Sequence, residues 1–250
     1  MGPVAPASFG RIDVHGHFLP GVDDGCAVAL ESIRCARALV EAGYSHAFCT
    51  PHIWRGLPNN TAANIRRWTA ELQAHLTQVG VPLTLLPGGE WNLPMSWPAL
   101  RELPTEQIVT YGLGGGHLLF DFWSETLPAS IEPAVGHLRS LGIQPVLAHP
   151  ERIAVFQRDD KALTAVEQMG VLLQLNTWCM TDPPAAPTRK KAEQWLKEGR
   201  YFCCGTDTHD FAGMRSRIDG LVVLGAMVGQ AELDRLTRIN PQTLIPPVVG

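Results

Sequence analysis

The stretch Asp13-Val14-His15-Gly16-His17, running on to Asp23-Asp24-Gly25, decides how the rest of the chain reads. Side chains alternate faces along a strand, so an extended segment here puts Asp13, His15 and His17 on one face and Val14 on the other. Two imidazoles two residues apart on one face can address a single cation. Asp24 follows a turn built from Pro20 and Gly21, which can return its carboxylate to the same pocket. Taken alone, a His-x-His pair is equally a strand end with satisfied polar groups, because a metal site needs three or four ligands. The question is whether the chain supplies the others at equivalent positions.

Working outward, strands and helices alternate about seven times. Strands are expected over about 11–15, 45–50, 82–86, 107–110, 117–122, 144–148, 171–175 and 200–204. Helical spacing covers about 27–42, 61–79, 129–141, 161–169, 188–198 and 218–239, with Gly43 and Gly80 as stops. The Trp- and Pro-rich residues 91–106 read as a short helix or a cover for the pocket mouth. The Gly-rich 112–116 reads as a turn, since no helix follows to cradle a phosphate. Without a linker or composition shift, this pattern argues for one α/β domain over 11–250, preceded by a loose leader, 1–10. A closed or distorted (β/α) barrel fits the length better than a doubly wound sheet. His15/His17, His52, Glu90, Asp121, His149 and Asp207/His209 each fall at or just past the carboxyl end of an expected strand, the end that forms the working mouth of a barrel.

His15, His17, Asp24, His52, Glu90, Asp121, His149, Asp207 and His209 make nine candidate ligands, where one zinc-type site needs three or four. Nine imply two or three cations sharing carboxylates. Mixed imidazole and carboxylate suits manganese, iron or zinc, with no thiolate to select zinc alone. Clustered cations lower the pKa of a bound water and clamp a phosphoryl group for in-line attack. Composition restricts the alternatives. A net charge of −4 gives no long-range attraction for nucleic acid or anionic membrane, so an anionic substrate needs local positive charge. No apolar run approaches the roughly 20 residues of a membrane span. Six cysteines without a Cys-x-x-Cys pair, in 250 residues, point to reduced thiols and the cytoplasm.

The motifs Asp13-Val14-His15-Gly16-His17, Leu19-Pro20-Gly21-Val22-Asp23-Asp24-Gly25, Thr50-Pro51-His52, Gly89-Glu90, Phe120-Asp121-Phe122, Ala148-His149-Pro150-Glu151-Arg152 and Thr206-Asp207-Thr208-His209 resemble the PHP (polymerase and histidinol phosphatase) superfamily. More closely, the chain is similar to the manganese-dependent tyrosine-protein phosphatases of the CpsB/CapC type, over residues 12–210. The resemblance implies a distorted (β/α)7 barrel in which metal-bridging hydroxide attacks phosphorus. The implied substrate is a phosphotyrosine protein, a partner bacterial tyrosine kinase, within capsule or exopolysaccharide regulation. By matching position, His15, His17, Glu90 and Asp207 would hold a first metal. Glu90, Asp121 and His149 would hold a second, and Asp24, His52 and His209 a third, with manganese first among the metals. Arg152 matches a substrate-binding arginine, a second corresponds to Arg215 or Arg217, and Asp24 or a water would protonate the leaving oxygen. Asp121 replaces the usual Glu; one methylene less implies a shifted or weaker second metal. Residues 53–56 and 91–97 also depart from the family pattern.

Other readings were weighed against these. Cys49 and Arg55 have Cys-x5-Arg spacing, but Pro51 lacks an N–H for a phosphate-binding loop and no glycine intervenes. His46, His75, His117 and His137 lie within elements and read as structural. Asp13 reads as orienting a metal-bound histidine, and Glu151 as a supporting or surface group. Trp91, Trp97 and Trp123 either pack under a loop or stack on a phenol ring. A PHP phosphoesterase on histidinol phosphate or a sugar phosphate is the main alternative. An amidohydrolase-like C–N hydrolase would need a carbamylated lysine, and Lys161, Lys190, Lys191 and Lys197 all sit in expected helices. A non-catalytic regulatory subunit that keeps the fold is a further alternative, and a homo-oligomer is compatible with the sequence.

Overall fold

Each strand of this chain buries one face inward and the other outward, and the alternation is visible in two apolar clusters. Ile12, Val14, Phe48, Leu119, Val146, Ala148 and Cys203 form an inner cluster. Their neighbours Ala47, Leu118, Phe120, Leu147 and Cys204 join an outer cluster with helix residues such as Leu39, Leu72 and Trp195. A period of two on both faces requires a sheet covered on both sides, which a closed barrel ringed by helices provides.

The computed structural model describes residues 9–246. The expected leader lies outside the described residues except for Phe9 and Gly10, as do the last four residues of the chain. Nine strands are described: β1 (Arg11–Asp13), β2 (Tyr44–Cys49), β3 (His52–Ile53), β4 (Thr84–Pro87), β5 (Glu90–Asn92), β6 (His117–Asp121), β7 (Gln144–Ala148), β8 (Leu172–Asn176) and β9 (Cys203–Gly205). All described ladders are parallel, in the orders β1-β2-β4 and β3-β5-β6-β7-β8-β9.

The nine pieces make seven staves. β3 continues β2 past Thr50-Pro51, and β5 continues β4 past Gly88-Gly89. Pro51 has no N–H to give the ladder, and a Cβ on Gly89 would lie 2.4 Å from Ile53 Cδ1, so the two breaks fit together. Beyond them the register resumes, with His52 opposite Glu90. The ring closes between β9 and β1. Gly16 bridges Thr208, His17 N–H donates to the Thr208 carbonyl at 2.7 Å, and Asp207 N–H donates to the His15 carbonyl at 2.8 Å. This is the distorted seven-stave barrel expected from the sequence.

Connecting helices pack outside: α1 (Ala29–Glu41), α2 (Ala62–Gln78), α3 (Leu93–Leu100), α4 (Ile131–Ser140), α5 (Ala154–Arg158), α6 (Asp160–Gln168), α7 (Pro187–Lys197) and α8 (Met214–Val228). Thr61 caps α2 by accepting from Asn64 N–H, and Asn92 caps α3 by accepting from Met95 N–H. Helix α3 accounts for part of the Trp- and Pro-rich segment. The strand expected over 107–110 is absent. Thr105–Gln107 forms a 3-10 turn, and the next residues run buried and unpaired, with the Val109 carbonyl accepting from the Trp91 indole at 2.8 Å. That run was apolar because it is covered, not because it joins the sheet.

Candidate metal centre

β1 ends at Asp13, and the backbone beyond it, held by the Gly16–Thr208 bridge and by Thr50 N–H on the Gly16 carbonyl, brings both His15 and His17 into the cluster. Their Nε2 atoms are 3.2 Å apart and fully buried. Glu90, first residue of β5, sends Oε2 to 3.2 Å from His15 Nε2 and 3.4 Å from His17 Nε2. Asp207, just past β9, sends Oδ1 to 3.4 Å from each. Four groups expected to share a cation thus converge from three staves. His149 Nε2 approaches the other Glu90 oxygen at 3.1 Å, with His15, Glu90 and His149 forming one compact group. Asp24, His52, His209 and His17 form another, in which Asp24 Oδ1 is 3.4 Å from His52 Nε2 and 3.5 Å from His209 Nε2. His149 and Asp207 both have positive φ, 35° and 52°, a conformation uncommon outside glycine and one that clusters at functional sites.

Asp121 behaves differently. Its carboxyl is buried, neither oxygen has a hydrogen-bond partner among the described residues, and it belongs to none of these compact groups. Burial, with Glu90 and Asp207 beside it, holds this carboxyl well above the usual range. Glu90 and Asp207 go the other way. Burial alone would raise both, but the surrounding imidazoles, His15 foremost, overcome it and hold them well below.

The donor set fits divalent cations. Both Asp121 oxygens are buried without a hydrogen bond among the described residues, and Glu90 Oε2 and His52 Nδ1 lie 3.0 Å apart without hydrogen-bond geometry. Orphaned buried acceptors of this kind are costly unless a ligand meets them. Nitrogen and carboxylate oxygen are donors that suit first-row divalent metals, and no cysteine sulfur joins them.

The supporting contacts fell partly to residues other than those expected. Asp13 does not touch an imidazole. Its oxygens accept from Thr206 N–H at 2.9 Å and Thr206 Oγ1–H at 2.6 Å, clamping β9 to β1. Burial raises its carboxyl to about 6 against those hydrogen bonds. The histidines are oriented instead by Asp23, whose Oδ2 is 2.7 Å from His17 Nδ1, and by Gln174, whose Oε1 is 2.9 Å from His15 Nδ1. Asn176 donates to Asp207 Oδ2 at 2.7 Å. Asp23 was legible as part of its motif; Gln174 and Asn176, at the end of β8, carried no signal because amides there look like ordinary polar residues. Glu151 is buried, not at the surface. It accepts from Asn176 N–H at 2.8 Å and Tyr201 O–H at 3.0 Å, and burial raises its carboxyl to about 7.

Arg152 reaches the cluster edge, with Nη1 2.7 Å from Asp207 Oδ2 and its guanidinium over the Trp178 ring. Arg215 does not. It points to solvent on α8 and pairs with Asp219 one turn on. Two residues further round the helix, Arg217 turns inward, and its Nε and Nη2 donate to the Asp207 carbonyl at 3.1 and 2.9 Å. The remaining four histidines lie apart: His46 by Ser45 and Phe9, His75 exposed in the last turn of α2, His117 on Phe202, His137 against Trp97. Cys49 is buried and burial pushes its thiol up, the opposite of a phosphatase nucleophile. The four lysines lie on α6 and α7, away from the cluster, which removes the carbamylated-lysine reading.

A parallel barrel with a buried imidazole and carboxylate cluster at the carboxyl ends of its strands defines the class of metal-dependent barrel hydrolases. The family described as capsular polysaccharide synthesis, CpsB/CapC, matches residues 11–246, and the chain belongs to it. It is 30% identical to the tyrosine-protein phosphatase YwqE of Bacillus subtilis over 166 residues, 66% of this chain and 64% of that protein. It is 25% identical to the tyrosine-protein phosphatase CpsB of Streptococcus pneumoniae over 191 residues, 76% of each. A chain from crystal structures of those two proteins, described as unique metal-dependent tyrosine phosphatases, superposes with a TM-score of 0.80 at 24% identity, over 93% of this chain and 94% of that one. The phosphotriesterase homology protein of Escherichia coli, at 11% identity and a TM-score of 0.57, shares the fold.

Proposed function

We propose that this chain is a metal-dependent phosphomonoesterase that hydrolyses phosphotyrosine in a protein substrate, in capsule or exopolysaccharide regulation. The observation that carries the reading is the approach of His15, His17, Glu90 and Asp207 to within 3.2–3.4 Å across three staves, with Arg152 at their edge. We assign a first cation to those four residues, a second to Glu90, Asp121 and His149, and a third to Asp24, His52 and His209. Manganese is the metal we favour for this oxygen- and nitrogen-donor set.

Divalent cations held there would supply an activated water and neutralise charge on the phosphoryl group. The chain's own residues do the rest. Arg152 swings from Asp207 to the phosphoryl oxygens, which its planar fork matches. Asp24, with 66% of its side chain exposed, lies on the solvent side, where a water beside it gives the proton to the departing ester oxygen. Arg217 holds the Asp207 turn and thereby the carboxylate that faces both histidines; Arg215 has no part in the proposal. The free, buried cysteines suit a reducing cytoplasm, and no described helix is long and apolar enough to cross a membrane. A tyrosine kinase of the same bacterium is the partner the reading favours.

The test is turnover of a phosphotyrosine peptide by the metal-loaded chain, its loss on chelation and its return with Mn²⁺. Turnover that persists after complete metal removal, or turnover confined to small phosphomonoesters such as histidinol phosphate, overturns the proposal.

A further inference from the structure

Two indoles stand on the His52 side of the cluster, and neither belongs to the ligand sets. Trp54 lies flat on the His52 imidazole, with ring centroids 4.6 Å apart and planes at 28°. Trp123, two residues past Asp121, stands edge-on to Trp54 at 5.5 Å and 74°, and its ring is 6.4 Å from that of His52. The other tryptophans near the mouth have packing roles: Trp91 is buried and donates to Val109, and Trp178 lies under Arg152. Trp123 is 63% exposed. An uncovered indole beside a buried polar cluster is an apolar face held ready for a partner.

The opposite side of the same wall is a cavity. Trp54 lines a space of about 560 Å³ between the loop after β3 and helix α3, with Ile53, Leu57, Met95 and Leu103 among its walls. That volume is in the range of sites that take a ligand group, and its lining is mainly apolar, with Arg55, Asn60 and Gln107 among the polar residues. Because Trp54 stacks on His52 and also lines the cavity, the cavity lies next to the cluster on that side.

We infer that Trp54 and Trp123 form a wall that recognises the aryl ring of the phosphate ester, and that the cavity behind Trp54 takes a large apolar side chain flanking the phosphotyrosine. The inference rests on the phosphatase reading and names what that site selects. A tyrosyl ester carries its ring next to the phosphoryl group, within stacking range of a wall set beside His52; a seryl ester carries none. One favourable ring pair is worth roughly 2- to 10-fold in affinity.

The test uses the metal-loaded full chain and two non-hydrolysable probes, phenylphosphonate and ethylphosphonate, titrated by calorimetry. Wild type binds the phenyl compound at least 5-fold more tightly. Trp123→Leu brings that ratio close to one, and Trp123→Phe, which keeps a ring, retains most of it. A ratio near one in wild type, or one unchanged in Trp123→Leu at equal metal content, overturns the wall. For the cavity, phosphotyrosine peptides with leucine or serine beside the phosphotyrosine are compared. A several-fold leucine preference in kcat/KM that Ala99→Phe, on the α3 wall of the cavity, abolishes supports it; no preference overturns it. If no phosphate ester is turned over, the phosphatase reading fails, while the phosphonate ratio still decides the wall.

Discussion

Asp23 and His17 are joined by a 2.7 Å contact between carboxylate Oδ2 and imidazole Nδ1, which turns the other ring nitrogen of His17 toward Glu90 and Asp207. Asp23 is itself fixed, accepting from Gly25 N–H and His52 N–H at 3.0 Å each. Burial opposes its ionisation, but the His17 imidazole dominates and lowers the carboxyl to about 2. One carboxylate therefore sets the direction of His17 and the position of the His52 backbone.

Asp23→Ala is expected to weaken Mn²⁺ binding about 10- to 100-fold, the usual effect of removing a carboxylate behind a metal-bound histidine. Competition with a chromophoric chelator measures it. Unchanged affinity would show that His17 is oriented by packing alone.

Chelation should lower the thermal midpoint as well as abolish activity, because a cation that binds only the folded chain stabilises it. At a free metal concentration 100 times Kd the gain is about 2.7 kcal/mol. Calorimetric scans with and without Mn²⁺, at fixed ionic strength, read the difference directly.

Arg152→Lys retains the charge and loses the fork. Roughly 10²-fold in kcat/KM should go, the scale of one lost transition-state donor. Measuring metal content alongside activity separates two roles. Equal losses of metal and activity would assign Arg152 to Asp207 alone, not to substrate.

Gly205→Ala should be disruptive despite its single methyl. The new Cβ would lie 2.7 Å from His15 Cβ and 3.1 Å from His15 N, in backbone already tied to β9. Overpacking of this kind costs about 1–3 kcal/mol. A drop in thermal midpoint together with weaker metal binding is expected, since the atom displaced first belongs to a candidate ligand.

His117 offers a pH test remote from the cluster. Burial against Phe202 lowers its pKa below the ordinary 6.5. Below that pH the unfolded chain takes up a proton that the folded chain resists, so stability falls as pH drops from 6.5 toward the folded pKa. His117→Phe keeps the ring stack and removes this slope. The gap between wild-type and variant midpoints should widen in favour of the variant as pH falls from 7 to 5; a constant gap would refute it.

Much of the barrel was legible because period-two apolar runs ending in polar residues survive any detail of packing. β7 fell at its expected bounds and β1, β2, β4, β6, β8 and β9 differed from expectation by a few residues at their ends, whereas the short continuations β3 and β5 were not expected as strands and 107–110 was misread as one. The nine candidate ligands were visible for the same reason: imidazoles and carboxylates at strand ends are rare enough to notice. The run at 107–110 misled because burial against Gly89 and Trp91 and burial in a sheet leave the same apolar signature. Asp13 misled because one carboxylate beside a His-x-His looks the same whether it holds a ring or a neighbouring strand.

By itself, the sequence determined the alternation of strands and helices, the end of the barrel at which the chemistry gathers, and the residue types there, since these depend on local periodicity and on which side chains can bind a cation. Only the tertiary structure decided that Asp23, Gln174 and Asn176 orient the cluster, that Arg217 and not Arg215 turns inward, that Asp121 lies apart from the compact groups, and that Trp54 and Trp123 meet beside His52. Each is a contact between residues distant in the chain or a choice of helix face. Such contacts depend on how seven staves close on one another, which no local pattern encodes.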